Sequence, residues 1–288
     1  HPQQDHPAND QRRELLHLGM LGGAGIALSS LIAPLAGCAS LGSRSAGSFA
    51  PAPGSSGFIA RGWDDYPRLL ARIQAPTFPA RDFLITRFGA VADGQSDATA
   101  AIAQAIAACA AAGGGRVVVP AGVFLTGPIV LRSNVNLHVS EGATLKFVTD
   151  PAKYPLVFTR WEGIECMNYS SLICAFEQEN IALTGKGTLD GQATRDTWWD
   201  WKATFFKVPG EDKQRADARA LIAMGEQGVP VEQRVFGPGH KLRPNFFQPY
   251  RCRNIRVEDV KFIRSPMWEI HPVLSTNITV RGVSIDSH

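Results

Sequence analysis

Five carboxylates stand in or beside strand-like runs of this 288-residue chain: Asp190, Glu258, Asp259, Glu269 and Asp286. Two carboxyl groups held around one bond can share acid–base work, one giving a proton while the other activates water. Glu258 and Asp259 are adjacent. Within a strand they would face opposite sides and share no cleft, whereas at a turn they could converge. Asp190 sits in Gly185-Lys-Gly-Thr-Leu-Asp-Gly191, where it reads as the acceptor of a turn-closing Asx bond rather than as an acid catalyst. Arg243 is a fork-shaped donor suited to a ligand carboxylate. The competing reading makes it a solvated loop charge.

Other chemistries lack their residues. The five cysteines (Cys38, Cys109, Cys166, Cys174, Cys252) form no C-x-x-C pair and have no histidine at ligand spacing, which argues against structural zinc. There is no G-x-S-x-G, no H-E-x-x-H and no EF-hand pattern. Gly113-Gly114-Gly115 precedes a strand-like run instead of joining strand to helix, so it is no dinucleotide loop, and no cofactor is expected. A net charge of +3 is too small to argue nucleic-acid binding. With 44% hydrophobic residues the chain is not disordered throughout, and its 28 glycines lack collagen's period. Cys166 and Cys174 could pair in an oxidising compartment or stay as two buried thiols, and both readings remain open.

The first 38 residues read as an export signal. Arg12-Arg13 precede an uncharged run, Leu15–Ser43, containing six glycines and Pro34. A membrane-spanning anchor is the competing reading, because the run exceeds ~18 residues. Leu35-Ala-Gly-Cys38 resembles a bacterial lipobox, which implies lipid on Cys38 after cleavage. The Arg pair also resembles a twin-arginine signal, although Gln11 and Glu14 depart from that pattern. Residues 39–57, rich in Ser, Gly, Ala and Pro, read as a flexible tether.

From residue 58 the chain reads as one domain, and from residue 82 short β-branched runs alternate with turn residues, as in Arg116–Pro120, Gly122–Thr126 and Ile129–Arg132. An Ala/Ile helix over 98–112, with Ser96 as its expected N-cap, suits a cap over the open end of a core. Asn134-Val-Asn-Leu, Asn180-Ile-Ala-Leu, Asn254-Ile-Arg-Val and Asn277-Ile-Thr-Val repeat one pattern at spacings of 46, 74 and 23. Reading 46 as two coils of 23, the period predicts a parallel β-helix in which stacking makes the core. Asn at these positions tolerates left-handed backbone, and its amide can bond the Asn of the next coil. The long gap places a side insertion at 192–243. Its Trp198, Trp199 and Trp201 would form a small core of their own, and a helix is expected over 211–224.

The opening Phe88-Gly-Ala-Val-Ala-Asp-Gly94, the Ala-rich helix and Gly114–Gly122 resemble pectin-degrading β-helix enzymes. Gly185–Gly191 looks like the G-x-G-x-[IL]-D-G of glycoside hydrolase family 28, the polygalacturonases. Arg243-Pro-Asn-Phe-Phe and Ser265-Pro-Met-Trp-Glu-Ile-His271 are similar to the family's bacterial branch. The resemblance implies a right-handed, pectin-lyase-like all-β solenoid with an N-terminal capping helix. It also implies inverting hydrolysis of α-1,4-galacturonan by two carboxyls about 6.5–9.5 Å apart. The family draws its aspartates from N-x-D and D-D motifs, followed by G-H-G and R-x-K. The strand array from Asp82 on contains none of the four, so the catalytic residues are expected C-terminal to His288. Trp268 and His271, two coils past the insertion, are the expected floor of a sugar cleft, with Arg243 as a uronate contact. For Trp268 and His271 the competing reading is ordinary packing. The expected partner is a pectic polysaccharide, with no nucleic acid, no metal, membrane contact only through a lipid anchor, and a monomer at full length. A β-helix polysaccharide lyase and a non-catalytic glycan-binding β-helix are the alternatives.

Overall fold

A computed structural model describes residues 62–206 and 212–287. The export signal with Cys38 and the tether lie outside the described residues. The β-branched runs form three parallel ladders. The first sheet runs Asp82–Leu84, Gly115–Val119, Val135–Val139, Glu179–Thr184, Arg253–Glu258 and Thr276–Arg281. The second runs Asp93–Asp97, Gly122–Thr126, Ala143–Phe147, Thr188–Asp190, Lys261–Ile263 and Ser284–Asp286. The third, Ile129–Val130, Ile173–Phe176 and Phe247–Tyr250, is extended by the bridges Phe247↔Ile270 and Tyr250↔Val273. Parallel neighbours need a crossover, and here each crossover is the rest of one coil. The chain is a right-handed parallel β-helix, the hand that twisted strands favour.

Alternation sends every second side chain inward, and parallel register stacks like upon like. Val117, Leu137, Leu183 and Val257 form one fully buried column, while Phe124, Leu145, Leu189 and Phe262 form another. Val280, in register with Val257, is 49% exposed, and Ile285, in register with Phe262, is also exposed, because each has a described coil on one side only.

The repeated asparagines behave as their chemistry requires. Asn134, Asn180, Asn254 and Asn277 all have positive φ, between 52° and 65°. Their amides make a continuous ladder. Asn180 donates to Asn134 at 3.1 Å, Asn254 to Asn180 at 2.9 Å and Asn277 to Asn254 at 2.7 Å. Asn accepts the left-handed turn at lower cost than most residues, and the amide bond links each coil to the next.

The reading of 46 as two coils is corrected. Asn136 pairs directly with Ala182, so 46 residues make one coil carrying an excursion. That excursion holds the antiparallel hairpin Leu156–Trp161/Ile164–Tyr169. The insertion at 192–243 likewise belongs to one coil. Both leave between the second and third sheets, so they stack on one side. There Val235–Phe236 pairs with the hairpin, and Trp161, Cys166, Leu221, Phe236 and Leu242 close a second small core. The insertion's helix spans Lys213–Glu226, two residues later than expected, because Asp212 caps it by accepting from the Arg215 N–H. The tryptophans do not form a core of their own. Trp198 and Trp201 pack edge-to-face on each other at 5.0 Å and join the main core beside Tyr154 and Tyr169.

The capping helix spans Thr99–Ala111 and buries Ile102, Ala105, Ile106 and Cys109 over the first coil. Ser96 is not its N-cap, since it donates back to Asp93 within a strand. Asp97 instead takes the Thr99 N–H and hydroxyl. Ahead of the first strand, the segment through Gln74 lies across the outer face of the first sheet. The Gln74 carbonyl accepts from Asn277 on the last described coil, while Asp82 pairs with Arg116 on the first. Eight extended residues reach ~26 Å, which matches the ~24 Å of five strand spacings.

Candidate functional site

With Ile173 and Phe247 pointing into the core, alternation turns Cys174, Gln248 and His271 to the outer face of the third sheet. The two excursions wall this face. From the hairpin, Thr159 donates to Gln248 Oε1 at 3.1 Å, and the Gln248 amide donates to the Arg160 carbonyl at 3.3 Å. Ser171 adds a 2.6 Å bond to the same Gln248 oxygen. Tyr250 donates its hydroxyl to Glu165 at 2.5 Å, and Glu165 also ion-pairs with Arg160 at 3.4 Å. Burial, followed by that bond to Glu165, raises the Tyr250 hydroxyl to about 12, so it stays a donor.

Trp268 is 43% exposed and lies edge-to-face with His271, ring centroids 4.5 Å apart. The pair sits one coil past the insertion rather than two, because Ile270 bridges directly to Phe247. The backbone leading into Trp268 is pinned from below, where Trp199 donates its indole N–H to the Ser265 carbonyl at 2.8 Å and Arg243 donates Nη1 to the Pro266 carbonyl at 2.7 Å. His271 Nδ1 faces the Asn245 amide at 2.9 Å. Partial burial, and then the charge of Arg160, lower the His271 pKa, so the ring is neutral near pH 7.

Arg243 is neither a solvated loop charge nor presented to a ligand carboxylate. It is 5% exposed, and its Nε donates to Gln214 at 2.7 Å. Burial lowers its pKa to about 10. It connects the insertion helix to the segment that carries Trp268.

Two of the candidate carboxylates, Asp190 and Glu258, are held by arginine. Asp190 makes the Asx bond expected of it, accepting from the Gln192 N–H at 2.9 Å, and is gripped by Arg264, which sequence reading missed. Glu258 ends a strand and Asp259, with φ 63°, begins a turn, so the opposite-face argument does not apply to them. Both line a groove of about 810 Å³ between the N-terminal segment and the first sheet, together with Arg116, His138 and Lys186. Glu258 is clamped by Arg256 and Arg281. Burial pushes its pKa up, but those two guanidiniums outweigh it and the net shift is downward. Asp286 faces Lys261 at 3.6 Å. Asp64-Asp65, an adjacent acid pair ahead of the strand array, lies in a short 3-10 helix with Asp65 paired to Arg68. The two buried carboxylates among the described residues, Asp190 and Glu258, are thus both held by arginine. Cys166 and Cys174 are free thiols, each pushed up to about 12 by burial. Among the described residues no group of three or more His, Cys, Asp or Glu side chains converges to hold a metal. Nor is any helix there long and apolar enough to cross a membrane.

The residues missed in sequence are Asn245, Gln248, Tyr250, Arg160 and Glu165. Asn245 had one signal, a lone polar residue in Pro244-Asn-Phe-Phe247 inside an otherwise apolar turn.

Residues 83–146 match the family described as "Rhamnogalacturonase A/epimerase, pectate lyase-like". The chain is 48% identical to a hyperthermoactive exopolygalacturonase from Thermotoga maritima, with a TM-score of 0.73 over 78% of this chain and 51% of that one. It is 37% identical over 115 residues to an exo-poly-alpha-D-galacturonosidase of Dickeya chrysanthemi, covering 37% of this chain and 19% of that protein. An exopolygalacturonase of Zea mays is 31% identical over 219 residues, 72% of this chain and 47% of its own length. The chain therefore spans less than half the length of these two curated relatives.

Proposed function

The chain is polygalacturonase-like, related to glycoside hydrolase family 28, and from this premise we propose that it is part of an exported hydrolase of α-1,4-linked galacturonan. The observation that carries the reading is the 48% identity, spread over 78% of the chain, with an exopolygalacturonase of the same fold. The walled outer face of the third sheet, with Trp268 and His271, is the proposed sugar-binding floor. Arg243 supports that floor through Pro266 rather than touching substrate. The reaction is a single displacement. A carboxylic acid protonates the glycosidic oxygen, a carboxylate takes a proton from water, the C1–O bond breaks and water's oxygen bonds C1 from the opposite side. Both buried carboxylates here being engaged by arginine, the acid and base are proposed to lie outside these residues, in the stretch of relatives that the chain does not span. No metal enters this chemistry. A cleaved signal ending before Cys38, with lipid on that cysteine, would place the enzyme at the cell envelope, tethered through residues 39–57.

The test is product analysis by proton NMR on the longer polypeptide acting on polygalacturonate with a calcium chelator present. Saturated products whose fresh ends are β-anomers are expected. An unsaturated, ultraviolet-absorbing product that needs calcium would replace this reading with that of a lyase.

A further inference from the structure

We infer that Trp268, His271 and Asn245 form a neutral carbohydrate subsite, in which Asn245 is a positioning residue that holds His271 as its Nε2–H tautomer. The inference rests on the pectic reading for the identity of its ligand and on geometry for its chemistry. Asn245 is 3% exposed, and its amide nitrogen stands 2.9 Å from His271 Nδ1. With the amide nitrogen turned to Nδ1, as the structure has it, the N–H donates, Nδ1 accepts and the ring proton sits on Nε2. The backbone at Asn245 is held from both sides. Its backbone carbonyl accepts the Leu172 N–H at 3.1 Å, and the Phe246 N–H that follows donates to the Trp268 carbonyl at 2.9 Å. Asn245 thus lies between the Trp268 segment and the coil below it.

The consequence is a subsite whose three members carry no charge. The exposed indole supplies an apolar face, and the imidazole supplies one neutral N–H. Arg160, whose charge reaches His271, is paired with Glu165. Arg243 is buried and engaged with Gln214 and Pro266. An aromatic face with a neutral donor fits the C–H face and a hydroxyl of a pyranose. The subsite should therefore accept a galacturonate ring and its methyl ester alike.

The experiment uses the chain labelled with ¹⁵N-histidine, with trigalacturonate and its fully methyl-esterified form as probes. In the free chain the His271 resonance should show a protonated Nε2 and a bare Nδ1. Asn245→Asp, whose carboxylate only accepts, should move the proton to Nδ1, while Asn245→Ala should give a mixture. A bare Nε2 in the unsubstituted chain would overturn the inference. Both probes should shift the His271 Nε2–H signal, and Trp268→Ala should weaken both by about tenfold, as loss of one aromatic contact does. A response to the free acid alone would overturn the neutral subsite and leave the pectic reading standing. Calorimetric binding of both probes with His271 unmoved would do the same. Absence of any calorimetric binding would overturn the pectic reading and the subsite's ligand with it, while the tautomer signal would still judge the role of Asn245.

Discussion

Asn180 stands in the middle of the asparagine ladder, so its replacement tests the link between sequence repeat and fold. Its amide nitrogen donates to Asn134 and its amide oxygen accepts from Asn254, all at a backbone φ of 52°. Asn180→Gly removes two hydrogen bonds, each worth ~1 kcal/mol net, while relaxing the left-handed turn. Asn180→Ala removes the same bonds and adds the ~1 kcal/mol strain of a β-carbon in that region. The expected losses are about 2 kcal/mol for Gly and about 3 kcal/mol for Ala. At roughly 2–4 °C per kcal/mol for a domain of this size, the Ala variant should melt about 6–12 °C lower. Differential scanning calorimetry or urea unfolding reads both. Equal stability of the Gly variant and the parent would show that the ladder carries no energy. Equal stability of Gly and Ala would refute the backbone part of the reasoning.

Asp190→Asn should cost about 2 kcal/mol in urea unfolding by weakening the grip of Arg264, and should leave cleavage by the longer polypeptide intact; lost cleavage in a folded variant would make Asp190 catalytic. Asp93 is held at about 2 by the Ser96 hydroxyl first and then by the Gln95 and Ser96 N–H groups. Because this lies below the ordinary 3.8, its stabilisation is present above about pH 4 and lost as pH falls through about 2. Asp93→Ala should therefore lower the melting temperature at pH 7 and leave it unchanged near pH 1, and a pH-independent difference would contradict this. Protein expressed with its native start should incorporate labelled fatty acid, and Cys38→Ala should abolish the label; surviving label would exclude lipidation at Cys38.

The solenoid was legible because one residue type, Asn, answers two demands at one position: a left-handed turn and a bond to the neighbouring coil. The first excursion was hidden because its coil is 46 residues long, numerically twice the 23-residue coil from Ile255 to Ile278. Its hairpin strands also carry the same β-branched texture as the coils. Ser96 looked like a helix cap because capping residues and turn residues are the same types, and only the fold shows that it bonds back to Asp93 within a strand. In the site, Trp268 and His271 stood out by type and by motif. Arg243 was misread because charge suggests solvent, whereas this guanidinium satisfies two buried acceptors. Gln248 and Tyr250 were invisible because their partners are 89 and 85 residues away.

Release of reducing sugar from polygalacturonate, measured side by side for this chain and for the longer polypeptide in the presence of a calcium chelator, tests the central claim most directly. The expected result is release by the longer polypeptide and none by residues 1–288, in which the two buried acids among the described residues are both held by arginine. Release by the 288-residue chain would contradict the placement of the acid and base outside it. Absence of release by both would contradict the hydrolase reading itself.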